Sequence, residues 1–153
     1  MQSGSVVGEN PLLLSGLAFA GANHRQSAGL DDEDGILTAE EIASLDLSGT
    51  EWAVLSACDT GVGEVKTSEG VLGLRRAFQV AGAHTLIMSL WAVEDQETRA
   101  WMLELYHQRL VEHRPTIDSV YQASLKVLRE RRTKHLSTHP FHWAGFVAAG
   151  DWR

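Results

Sequence analysis

Residues 51–64 read EWAVLSACDTGVGE: a short, mostly apolar run over 51–57, the single cysteine of the chain at position 58, and a turn with two glycines. An apolar run of this length, bounded by turn residues, is the pattern of a strand buried on both faces of a parallel sheet. A second such run, HTLIMSLW, occupies 84–91, and a third, WAGFVAA, occupies 143–149. Between the first two, Val71, Leu74, Phe78 and Ala81 recur every three or four residues and predict a helix over 70–81. Upstream, LTAEEIASL (37–45) sets Thr38 and Glu41 in capping-box spacing and predicts a short helix over 39–45. Downstream, Asp95 is expected to cap a helix running to Glu112, and Thr116 a helix running to Arg132. On the latter, Ile117, Val120, Tyr121, Ser124 and Leu128 share one face. The order helix, strand, helix, strand, two helices, strand predicts an α/β layered domain with a largely parallel sheet.

Composition narrows the class. At 153 residues, with 44% hydrophobic and 22% charged residues, the chain suits one soluble domain with one core, and residues 1–153 are read as a single domain. Residues 1–35 form a loop-rich opening segment, closed by the acidic turn DDEDG at 31–35, and 36–153 form the α/β core. The apolar run at 12–22 needs burial, yet its glycines and serine disfavour a helix of its own. A net charge of −7 gives no footprint for nucleic acid, and the one basic cluster, RERR at 129–132, ends a predicted helix, where cations suit the dipole. No apolar stretch is long enough for a membrane span and the N-terminus lacks a signal-peptide pattern. A lone cysteine excludes an intrachain disulfide and fits a reducing compartment, so the expected location is cytoplasmic.

In parallel α/β sheets, functional groups gather beyond the carboxyl ends of the strands, and Cys58 follows such an end. It is a candidate nucleophile; the alternative is a buried small hydrophobe. The glycines at 61 and 63 do not make a phosphate cradle, because Lys66 stands where a third glycine is needed and no Gly-Lys-Ser/Thr follows. A nucleophilic thiol needs a base or an electropositive setting. His84 begins the second strand and His135, His139 and His142 precede the third, so parallel strands would put all four at the edge opposite Cys58. His107 and His113 sit in or just past a helix and are expected at the surface. His24 escapes this topological exclusion, but ANHR (22–25) has no glycine to supply an oxyanion donor. His139 and His142 have the spacing of a metal pair without a second ligand pair, so neither a metal nor another cofactor is expected. Asp59 and Glu69 flank the cysteine turn without an assigned role.

LSACDTGVGEVKTSEGVLGLRRAFQVAGAHTLIMSLWAVEDQET (55–98) resembles the signature of CHAT domains, caspase-like modules often attached to tetratricopeptide repeats. The resemblance extends to NPLLLSGLAFAGAN (10–23), GILTAEEI (35–42) and HPFHWAGFVAAGD (139–151), and so covers nearly the whole chain. It implies a caspase-like three-layer sandwich and membership of the class of caspases, gingipains and separase, which cleave peptide bonds with a His-Cys dyad. It places Cys58 at the nucleophile position. The family's dyad histidine belongs to a His-x-x-Thr-His-Gly motif upstream of the NPLL segment, and no such motif stands in residues 1–9. The expectation is therefore the C-terminal half or so of a CHAT module, with the N-terminal part of the fold missing and no peptidase activity from this chain alone.

Relatives that cleave after basic residues carry an acid in the first specificity pocket, and SLWAVED (89–95) is similar to the separase-like segment after the same strand. Asp95 matches the acidic position, with Glu94 beside it; the plainer role for Asp95 is helix capping. The reading is a cysteine endopeptidase that acts on a protein or peptide substrate with a basic residue at the cleavage position. The alternative is an inert binding or oligomerisation module derived from the same fold. Expected partners are an upstream CHAT half, an N-terminal repeat domain or a second copy of the chain, and neither nucleic acid nor membrane.

Overall fold

The structure, a computed structural model, describes residues 15–23, 34–56 and 67–151, with side chains from 72 onward in the last stretch. They fall into two compact units, one within Met1–Leu45 and Thr60–Ala81, the other within Asp46–Asp59 and Gly82–Arg153.

In the first unit, β1 (Gly16–Ala18) pairs antiparallel with β2 (Ile36–Thr38), Gly16 opposite Thr38. Part of the stretch read as loop is thus a short strand. Thr38 ends β2 and caps α1 (Ala39–Ala43): its hydroxyl accepts the Glu41 N–H at 3.2 Å while the Glu41 carboxylate accepts the Thr38 N–H at 2.7 Å. This reciprocal box satisfies two of the amides that a helix start leaves without partners. α1 packs on α2 (Thr67–Val80). Ala39 and Ile42 are buried, as are Leu74, Ala77 and Phe78 and, just past the helix, Ala81.

The second unit is a three-stranded sheet in the order β3 (Trp52–Leu55), β4 (Thr85–Ser89), β5 (Phe146–Gly150). Its helices are α3 (Asp95–Tyr106), which passes into a π-helical turn at His107–Val111, and α4 (Thr116–Thr133). β3 and β4 are parallel, with Trp52 opposite Thr85 and Leu55 opposite Met88. β5 runs antiparallel to β4, with Ser89 opposite Phe146 and Thr85 opposite Gly150. The fold is α/β as expected, but its sheet is mixed. The reason is parity. One helix between two strands returns the chain to the edge where it began, whereas α3 and α4, folded antiparallel, return it to the edge it has just left.

All five residues of β4 are buried, as the central strand of the three requires. Alternation sends Trp52, Val54, Ile87, Phe146 and Ala148 toward the helices, where they meet Trp101 and Leu105 of α3 and Val120, Ala123 and Val127 of α4. The Trp101 indole stacks on Phe146 with ring centroids 4.3 Å apart, and its N–H donates to Ser124 Oγ at 3.1 Å. Such a pair contributes roughly 0.5–1.5 kcal/mol beyond its buried area.

Two helix readings need correction. Thr116 is the first residue of α4 and Pro115 is its N-cap, with no side-chain cap bond; the Thr116 hydroxyl instead accepts the Trp52 indole N–H at 3.1 Å. The inward face of α4 is set by Ser119, Val120, Ala123 and Val127, leaving Ile117 and Tyr121 47% and 57% exposed. Small residues there let the helix approach its neighbours, a role that selecting on apolarity alone overlooks. Among the described residues no helix is long and apolar enough to cross a membrane.

Candidate functional site

The carboxyl edge of β3 and β4 is the edge from which the segment carrying Glu94 and Asp95 leads into α3. β3 delivers Leu55 and Ser56 to this edge; Cys58, two positions on, lies outside the described residues, as do His24, Asp59 and the side chain of Glu69. β4 ends at Ser89, and Leu90 to Glu94 lead directly into α3. Asp95 is not the cap of that helix. Glu94 holds the N-cap position in extended conformation (φ −60°, ψ 145°), without a side-chain cap bond, and its carbonyl accepts the Thr98 N–H at 2.9 Å. The Asp95 carboxylate is exposed and has no hydrogen bond or ion pair among the described residues. Capping therefore does not account for it.

Because β5 is antiparallel, the segment before it returns to this same edge, which corrects the topological exclusion of three histidines. His84, at the start of β4, does lie opposite, but His135, His139 and His142 follow α4 and precede β5 at the carboxyl edge. His142 Nδ1 stands 3.5 Å from Glu94 Oε1. The His139 side chain accepts the Phe141 N–H through Nδ1 at 3.2 Å and so caps the 3₁₀ turn Pro140–His142.

This turn is clasped to the segment after β4. The Trp91 indole N–H donates to the Phe141 carbonyl at 2.8 Å, and the two rings stack at 6.0 Å with 12° between their planes. The Leu90 N–H donates to the Gly145 carbonyl at 2.8 Å, continuing the β4–β5 ladder. Gly145 is dictated by this approach: a Cβ there would lie 2.5 Å from Val93 Cγ2 and 3.3 Å from the Trp91 indole nitrogen.

Arg131 was legible only as part of a basic helix end. It is buried, its guanidinium paired with Glu97 in the first turn of α3 and its Nε donating to the Ser137 carbonyl at 2.6 Å. It joins the head of α3 to the segment that carries the histidines. No local pattern reveals such a partner, since Glu97 and Arg131 meet only through the helix hairpin.

Glu94 and Asp95, both exposed, put two carboxylates at the start of α3, groups that can pair with a guanidinium or ammonium ion. Among the described residues no group of three or more His, Cys, Asp or Glu side chains is placed to hold a metal ion.

Comparison with known proteins adds the family. The chain is 30% identical over 116 residues to tetratricopeptide repeat protein 28 of Mus musculus, covering 76% of this chain and 4% of that protein. It is 29% identical over 116 residues to tetratricopeptide repeat protein 28 of Homo sapiens, with the same coverage of 76% and 4%. The chain thus spans a small fraction of the curated relatives it matches. No solved structure matches it. The CHAT domain model matches residues 3–151, essentially end to end, and the chain belongs to the CHAT domain family.

Proposed function

We propose that this chain is the nucleophile-bearing part of a CHAT-type, caspase-like cysteine endopeptidase that cleaves after basic residues. The supporting observation is the Asp95 carboxylate: exposed, not used in capping, and at the carboxyl edge to which β3 carries the chain two residues before Cys58. In this reading the Cys58 thiolate attacks the scissile carbonyl, the C–N bond breaks, and the amine leaves with a proton. Water then hydrolyses the thioester, releasing the acid and restoring the thiol. Asp95, with Glu94 beside it, holds the basic side chain of the substrate.

An affinity label tests this without requiring turnover. A peptidyl-arginine chloromethyl ketone should alkylate Cys58 several-fold faster than its norleucine counterpart, and Cys58→Ala should abolish labelling. Equal rates for the two labels would overturn the basic preference. Rapid turnover of an arginine peptide, absent in Cys58→Ala, would show that this chain supplies its own base.

The second reading, an inert association module, is favoured by a different observation. Leu103, Leu110, Val111 and Tyr121 are all more than half exposed on α3, the π-helical turn and α4. A repeat domain, an upstream CHAT half or a second copy of the chain would cover such surface. Light scattering at micromolar concentration tests the self-association arm: a dimer or larger species supports it and a strict monomer removes it.

A further inference from the structure

The two carboxylates at the head of α3 are not equivalent, and the difference lies in a histidine. Glu94 Oε1 is 3.5 Å from His142 Nδ1, whereas Asp95 has no such neighbour among the described residues. His142 Nδ1 is shielded from solvent and has no hydrogen-bond partner among the described residues, although the imidazole as a whole is 22% exposed. A buried imidazole nitrogen facing a carboxylate is repelled if it presents a lone pair and attracted if it carries a proton. Glu94 therefore favours the proton on Nδ1, and a second proton on Nε2 makes the ring a cation beside that carboxylate.

From this geometry we infer that His142 is a specificity-determining residue of the edge, setting whether a cationic ligand meets two free carboxylates or one. The inference rests on the reading of the Glu94–Asp95 pair as the receptor of a basic side chain. With His142 neutral, Glu94 and Asp95 both act on the ligand. With His142 charged, Glu94 is neutralised by the ring and Asp95 acts alone.

Among the described residues, the other charged and titratable groups of this edge do not compete for the role. On α3 and α4, Glu97 and Arg131 are paired with each other. His139, in the same turn, uses its Nδ1 on the Phe141 N–H. Arg132, Lys134 and His135, at the end of α4, make no ion pair or side-chain hydrogen bond with His142. Gly145, Trp91 and Phe141 fix the turn against the segment after β4, so the imidazole and Glu94 are held in one register.

The test uses the intact 153-residue chain and two small probes, N-acetyl-arginine amide and its uncharged citrulline analogue, followed through the backbone amide signals of residues 94–98 by NMR. Between pH 8 and pH 5.5 carboxylates stay ionised while ordinary histidines gain a proton. The wild-type preference for the arginine probe should fall roughly two- to five-fold over that range, the scale of one exposed charge contact. His142→Gln should hold the pH 8 preference at both pH values, and His139→Gln should behave as wild type. In Glu94→Gln the pH dependence should vanish and the Nδ1-protonated signature of His142 in 15N spectra should weaken.

The failures are distinguishable. An arginine preference that is present but falls equally in His142→Gln overturns the inference and leaves the receptor reading standing. No preference for arginine over citrulline in wild type or His142→Gln at any pH overturns the receptor reading, and the inference with it. A His142 15N signature identical in wild type and Glu94→Gln overturns the pairing on which the inference depends, whatever the probes do.

Discussion

The guanidinium of Arg131 in α4 lies against the carboxylate of Glu97 in the first turn of α3, with the two side chains only 8% and 13% exposed. Through the bond from its Nε to the Ser137 carbonyl, the same arginine also fixes the chain on its way to the 3₁₀ turn. One side chain thus governs the relative placement of Asp95 and His142.

Arg131→Met leaves the Glu97 carboxylate buried without its partner, and breaking such a pair from one side costs about 3–5 kcal/mol. Urea unfolding is expected to show a loss on that scale. Arg131→Met combined with Glu97→Leu should recover much of it, because apolar replacement removes both desolvated charges. A single variant as stable as wild type would mean that the pair is solvated in solution.

Gly145→Ala puts a methyl group 2.5 Å from Val93 Cγ2, so either the clasp opens or Val93 moves. Overpacking of this kind costs about 1–3 kcal/mol. Thermal unfolding should register it, and adding Val93→Ala should restore most of the loss. Failure of that rescue would place the clash with the Trp91 indole instead.

Asp95→Asn should lower the arginine-over-norleucine labelling preference at Cys58 about five-fold at pH 8, the value of one favourable exposed charge contact. Glu94→Gln should lower it less than Asp95→Asn does, since His142 Nδ1 stands 3.5 Å from Glu94 Oε1. An effect of Glu94→Gln larger than that of Asp95→Asn would reverse the ranking of the two acids.

Asp46 opens the turn that leads into β3, its carboxylate accepting from the Ser48 hydroxyl at 2.6 Å and the Ser48 N–H at 3.1 Å. These bonds, the hydroxyl first, hold its carboxyl below the ordinary aspartate value. A folded value below the unfolded one stabilises the native turn above the unfolded aspartate range, and the contribution is lost as pH falls through the folded value. Following the Asp46 carboxyl carbon by NMR should show the midpoint rising in Ser48→Ala. An unchanged midpoint would remove the hydroxyl as the cause.

Several elements were legible because their determinants are local. Thr38 and Glu41 announce the start of α1 within four residues, and the apolar runs containing Trp52–Leu55 and Thr85–Ser89 are strands by length and composition. Family membership was legible from motifs spread across 10–151 and is confirmed over 3–151. The direction of β5 was misread although its signal was present: two helices between β4 and β5 require an even number of crossings. That single step decided the placement of His139 and His142. The contacts of Arg131 with Glu97 and of His142 with Glu94 span 34 and 48 positions, and no periodicity in one segment reports on a partner that far away. Ile117 and Tyr121 turn outward because the inward face of α4 is taken by Ser119 and Ala123, which pack by being small and carry no apolar periodicity.

The antiparallel course of β5 also settles where a reporter group belongs. Asp151 emerges at the edge where β4 begins, its N–H on the His84 carbonyl at 2.8 Å, a full strand length from the head of α3. A fluorophore or surface tether attached at Asp151 leaves the Trp91–Phe141 clasp and both carboxylates unobstructed, whereas one inserted at 134–139 would load the segment that Arg131 holds in place.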